Sequence, residues 1–215
     1  MNKYSFDENY FDVIDNQDKA YWLGFFAADG YNHEVKGCIE FRLHKKDREI
    51  LEKFKSCINS NHPINLYKNT YCNLSLYSKH LCKKLSEYGL HQAKTYTLQI
   101  PELTNELTRH FIRGYFDGDG CFSVIPRNDR GSNSKTYQFN ITGMREPLLK
   151  IQQHLVDNLN IKKLPLKVRA STKAVTMHYG GKNVCKKILD YLYEGANMYL
   201  KRKHDKYLKY CISAE

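Results

Sequence analysis

The sequence predicts an α+β fold built from two pseudo-symmetric αββαββα repeats, packed through one signature helix from each. Two matched stretches, and the order of elements after each, predict it. Tyr21 to Tyr31 reads YWLGFFAADGY and Phe111 to Phe122 reads FIRGYFDGDGCF, each an apolar run with a glycine, a small residue four places on, an acid and a second glycine. They match column by column, Gly24, Ala28, Asp29 and Gly30 against Gly114, Gly118, Asp119 and Gly120, with the acids 90 residues apart. Behind each, strand and helix patterns recur in the same order, as an internal repeat requires.

Residues 1–17 read as an irregular extension. The first repeat, 18–98, opens with a helix from about Asp18, a plausible N-cap, to Asp29. Ile39, Phe41 and Leu43 then alternate with Cys38, Glu40 and Arg42, a strand with one buried face. Asp47 offers an N-cap to a helix over 47–59, on which Ile50, Leu51, Phe54, Cys57 and Ile58 share a stripe. Strands fit Ile64 to Tyr67 and Tyr71 to Tyr77, and a helix carrying Leu81, Cys82 and Leu85 ends at Gly89. Residues 99–108, with Pro101, read as a linker, and 109–215 as the second repeat.

In that repeat Tyr137, Phe139 and Ile141 alternate with Gln138, Asn140 and Thr142. Pro147 suits the first position of a helix bearing Leu148, Ile151 and Leu155. Strands around Leu164 to Val168 and Val175 to Met177 precede a helix with Val184, Cys185, Ile188 and Leu192, and a basic helix spans about Met198 to Cys211. The Cys-Lys-Lys trios at Cys82 and Cys185 are 103 residues apart, so the second copy is longer by about thirteen residues, much of it in the loop-like Arg127 to Lys135.

Small residues at i and i+4 lie on one helical stripe and allow two helices to approach until their backbones nearly touch, so Gly24, Ala28, Gly114 and Gly118 form the expected helix–helix interface. Pairing brings Asp29 and Asp119 to the same edge, each followed by a glycine able to leave its helix in a left-handed conformation. Two carboxylates at the negative ends of helix dipoles repel unless a proton or cation lies between them, and hard oxygen donors suit Mg²⁺.

Of 215 residues, 34 are basic and 23 acidic, a net charge of +11 that favours a polyanionic partner. The seven cysteines are odd in number and form no C-x-x-C pair, which reads as reduced thiols in a cytosolic protein, not a zinc site. No window is apolar for the length of a membrane helix, and the amino terminus has no signal-peptide pattern.

The paired WLGFFAADG and IRGYFDGDG segments resemble the signature helices of the LAGLIDADG homing endonucleases in their single-chain, two-repeat form, and the resemblance extends over most of the chain. It implies a monomeric DNA endonuclease whose antiparallel sheets form a DNA-binding saddle, and it carries metal coordination onto Asp29 and Asp119 with the carbonyls of Ala28 and Gly118. The implied cofactor is Mg²⁺, with Mn²⁺ an alternative. It also implies a solvent-organising lysine in each half: Lys94 within GLHQAKTYTLQIP, and Lys203 or Arg202 within YLKRKHDKY, of which Lys203 is preferred. The sixth motif position differs, Ala27 against Asp117, and Asp117 is assigned only a polar contact flanking the site.

On the polar faces of the strands, Arg42, Asn73, Ser75, Arg127, Gln138, Asn140, Lys167, Arg169, Thr176 and His178 offer donors and acceptors suited to base edges in double-stranded DNA. For any one of them plain solvent exposure is an equal reading. The alternatives are an intron RNA maturase or a non-cutting DNA-binding regulator of the same fold; no glycine-rich phosphate loop supports a small-molecule enzyme. The starting methionine, without splice-junction residues, favours a free-standing or intron-encoded protein, expected in cytoplasm, organellar matrix or a phage-infected cell.

Overall fold

The computed structural model describes residues 3–92, 98, 100–127, 134–168 and 173–212, arranged in two compact units, Met1–Gly118 and Asp119–Glu215. In the first unit the order is α1 (Gln17–Asp29), β1 (Gly30–His33), β2 (Cys38–His44), α2 (Arg48–Cys57), β3 (Asn65–Tyr67), β4 (Tyr71–Tyr77), α3 (Lys79–Glu87) and α4 (Asn105–Asp119). The second holds β5 (Gly120–Arg127), β6 (Ser134–Gly143), α5 (Arg145–Leu159), β7 (Lys167–Val168), β8 (Val175–Gly180), α6 (Lys182–Tyr193) and α7 (Lys201–Tyr207). Each unit has one antiparallel four-stranded sheet, ordered β1-β2-β4-β3 and β5-β6-β8-β7. The two αββαββα repeats are thus present. α4 buries its glycine stripe against α1 within the first unit.

Every residue of α1 from Ala20 to Ala27 is buried, the pattern of a helix covered on all sides. One side meets the sheet. Trp22 and Phe41 pack on Phe54 of α2 at ring-centroid distances of 4.8 and 5.1 Å, and Phe25 lies 5.8 Å from Phe41. In the second unit the inward side chains of β6 and β8, Phe139, Ile141, Met177 and Tyr179, meet Leu148, Ile151 and Leu155 of α5 and Ile188, Leu189 and Leu192 of α6, all buried.

The extension before α1 is part of this core. The Asp7 amide donates to the Ile58 carbonyl at 2.7 Å, and Phe11, wholly buried, stacks on Phe54. Phe11→Ala should cost about 3–5 kcal/mol of stability through the cavity it leaves, read as a lower urea midpoint.

Local chemistry corrects several expectations. The N-cap of α1 is Asn16, whose side-chain oxygen accepts from the amides of Asp18 and Lys19; Asp18 instead sits in the first turn, where its charge suits the helix dipole. Asp47 belongs to a 3-10 turn, Lys45–Asp47, and makes no side-chain cap to α2. Pro147 is the third residue of α5, still within the first turn, where a missing N–H is harmless. The terminal helix is shorter than its apolar pattern, passing from α7 into a wider π turn over Leu208–Ile212.

Gly30 is not left-handed. With φ −80° and ψ 158° it steps straight from α1 into β1, and the reason for glycine is room: a Cβ there would lie 2.2 Å from the Phe26 ring. Asp119 likewise runs directly into β5. Both signature helices therefore become strands with no connecting loop.

Candidate acidic site and nucleic-acid interface

Within the first unit α1 and α4 touch backbone to backbone. A Cβ on Gly24 would lie 1.9 Å from the Phe111 carbonyl oxygen, and one on Gly114 would lie 2.0 Å from the Tyr21 carbonyl oxygen. A Cβ on Gly118 would meet the Ala28 methyl at 2.3 Å and Asp29 Oδ2 at 3.2 Å. The structure brings together all four residues of the small stripe, and with them Asp29.

Asp29 is the last residue of α1 and exposed, after eight buried residues and the half-buried Ala28; Asp119 closes α4 in the same way, exposed after Gly118. Each carboxylate stands where the helix dipole is negative, so each attracts cations. Among the described residues no group of three or more His, Cys, Asp or Glu gathers as a metal cluster. Carboxylate oxygens are hard donors of the kind that divalent cations such as Mg²⁺ accept.

Lys203 is buried at 6% exposure, and its ammonium donates to the carbonyl of Gly120, the residue after Asp119, at 2.6 Å. Arg202 beside it is exposed. Lys94 lies outside the described residues, as does Arg169 of the strand set.

A buried polar chain escaped the sequence reading. The Tyr21 hydroxyl on α1 donates to Asp117 Oδ2 on α4 at 2.9 Å, and the Arg113 guanidinium lies 5.3 Å from the centre of the Tyr21 ring. Arg113 and Asp117 are wholly buried, so Asp117 serves the helix pairing and does not flank an open site. Its signal was the polar spacing of His110, Arg113 and Asp117 among the apolar residues of the run from His110 to Asp117. Burial, then the Asp117 charge, raises the Tyr21 phenol well above its usual range and keeps it a donor.

One turn back, Arg113 Nη1 is 2.5 Å from His110 Nδ1, and His110 Nε2 is 3.1 Å from Glu106 Oε1. A guanidinium only donates, so Nδ1 accepts and the imidazole proton sits on Nε2. Burial first, then the charges of Arg113 and Arg109, lower the His110 pKa to about 4. Unfolded, this histidine takes its proton near pH 6.5. Between those values the unfolded chain binds more protons, so stability falls as pH drops from about 6.5 to 4. The melting temperature should therefore be lower at pH 5 than at pH 7, and His110→Gln should flatten that dependence.

The polar sheet faces are laid out by register. In the first sheet Arg42 stands opposite Asn73 and Glu40 opposite Ser75; in the second Asn140 stands opposite His178 and Thr142 opposite Thr176, with Lys167 next across on β7. Arg42, Arg127 and Lys167 are exposed, while Asn73, Ser75, Gln138, Asn140, Thr176 and His178 are half-buried. Glu40, read from the sequence on this face but not among the expected DNA contacts, takes Arg42 Nη2 at 2.8 Å and lies 3.5 Å from both Asn73 Nδ2 and Ser75 Oγ. Asn140 Oδ1 is 2.6 Å from His178 Nδ1, and burial lowers the His178 pKa.

These features define a class: a two-repeat α+β protein whose signature helices pair through glycines and each end in an exposed acid. Residues 112–214 match the model described as "LAGLIDADG endonuclease", and the chain as a whole has the LAGLIDADG homing endonuclease fold. A lysine-to-alanine mutant of I-SmaMI superimposes with a TM-score of 0.66 at 15% identity, covering 91% of this chain and 89% of that one. I-LtrWI bound to target DNA gives 0.61 at 15% identity over 96% and 91%, and I-AabMI bound to uncleaved DNA 0.64 at 15% over 93% and 90%. The replication factor C small subunit of Methanocaldococcus jannaschii is 29% identical over 118 residues, 49% of this chain; the match spans only 6% of that protein's length.

Proposed function

We propose that this protein is a site-specific homing endonuclease that binds a long, asymmetric duplex as a monomer and makes a staggered, metal-dependent double-strand break by phosphodiester hydrolysis. One observation carries the reading: each signature helix has a run of eight buried residues, Ala20 to Ala27 and His110 to Asp117, and ends in an exposed carboxylate joined without slack to a strand. The family description supports it, as do neighbours of the same fold, I-SmaMI among them, seen with uncleaveable and with cleaved DNA.

Asp29 and Asp119, with the carbonyls of Ala28 and Gly118, would hold Mg²⁺ or Mn²⁺. Held by these residues, such an ion would supply a nucleophilic water at neutral pH and would offset charge on the phosphate and leaving oxygens. Lys203, held at the Gly120 carbonyl, places a positive charge beside Asp119, and Lys94 has that role in the first repeat. Arg42, Asn73, Ser75, Arg127, Gln138, Asn140, Lys167, Arg169, Thr176 and His178 face the bases. Two non-identical repeats suit two non-identical half-sites, which a homodimer does not.

The test is to incubate the purified protein with a plasmid library of genomic inserts in Mg²⁺, Ca²⁺ or EDTA and sequence the ends. Linearisation at one defined site in Mg²⁺ but not in EDTA is expected. No cleavage of any DNA overturns the reading, and tight binding to structured intron RNA in that case identifies a maturase.

A further inference from the structure

We propose that α1 and α4 carry complementary pairing codes, so that each recognises the other and neither recognises a second copy of itself. The backbone contact is pseudo-twofold: Gly24 covers the carbonyl of Phe111, and Gly114 covers that of Tyr21, the residue matching Phe111 in the other repeat. By that symmetry the contact of Tyr21 with Asp117 corresponds to one of Phe111 with Ala27. The side chains break the symmetry in two places, one polar and one steric.

The polar break is the buried pair of Tyr21 and Asp117, joined at 2.9 Å. Two copies of α4 meeting in this geometry would set Asp117 against Phe111 at both ends, so each carboxylate would lose the hydrogen bond that the Tyr21 hydroxyl supplies. Two copies of α1 would set the Tyr21 hydroxyl against the Ala27 methyl.

The steric break is Ala28 against Gly118. The Cβ that Gly118 lacks would lie 2.3 Å from that of Ala28, so a pair of α1 helices, alanine on alanine, is blocked at this separation. Each wrong pairing thus meets a different obstacle, and the right one satisfies both contacts. Selecting against the alternatives in this way fixes which helices pair and is separable from how strongly they pair. The inference stands apart from the nuclease reading, since it concerns only how the repeats choose each other.

Thermal unfolding of full-length variants tests it. Gly118→Ala, which sets alanine on alanine, should lower the melting temperature by about 5 °C or more. Adding Ala28→Gly, which transposes the pair, should recover most of that loss. Tyr21→Phe and Asp117→Ala should each destabilise, and together should cost clearly less than their sum, because the double variant reproduces the apolar pairing of Phe111 with Ala27. A general packing role predicts losses that simply add. Additive losses at either contact, or no recovery on transposing alanine and glycine, would overturn the proposal.

Discussion

Asp29→Asn and Asp119→Asn should each lower double-strand cleavage by at least about a thousandfold while leaving Mg²⁺-independent duplex binding within about threefold. Asparagine keeps the shape of the side chain and removes the charge that, in the function proposed above, would hold a divalent ion. Both positions are exposed ends of helices whose buried residues lie earlier. Single-turnover plasmid cleavage, with gel-shift binding in Ca²⁺, separates the two effects. Cleavage that survives either substitution would remove the assigned chemistry, whereas lost binding would show that the carboxylate supports structure.

The second large effect is steric. Gly24→Ala places a methyl 1.9 Å from a backbone carbonyl on α4, which cannot rotate aside as a side-chain tip could. The helices must separate along their whole contact. The expected loss is about 4 kcal/mol or more, a fall of about 8 °C or more in melting temperature, or no soluble protein. Gly114→Ala, 2.0 Å from the Tyr21 carbonyl oxygen, should behave alike. Gly180→Ala is the internal control, since its nearest neighbours lie at 3.7 and 3.8 Å, and its melting temperature should move by no more than about 3 °C.

How far the chain could be read depends on how each signal is encoded. Glycines four residues from a small partner announce close helix approach because no other side chain allows it, and strict alternation around Phe41 and Phe139 marks half-buried strands by geometry alone. Cap selection at α1 was not legible: Asn16 and Asp18 are both good cap formers two residues apart, and only the loop preceding them decides. Phe11 lies in a segment without periodicity, so its place against Phe54 has no local sign. The helix ends were legible as spacing, Asp29 and Asp119 closing matched runs. Their surroundings were less so, because the partners of Asp117 and Glu40 lie far away in sequence or on a neighbouring strand.

The direct passage from Asp29 into β1, and from Asp119 into β5, has a consequence for re-engineering. A hinge would let a reading surface be remade while the carboxyl end stayed still, but a rigid splice transmits any tilt of the strand to the acid one residue away. For the endonuclease proposed above, substitutions on β1 and β5 should therefore cost turnover more often than affinity, and those on β4 and β8, farther along each ladder, should cost turnover less.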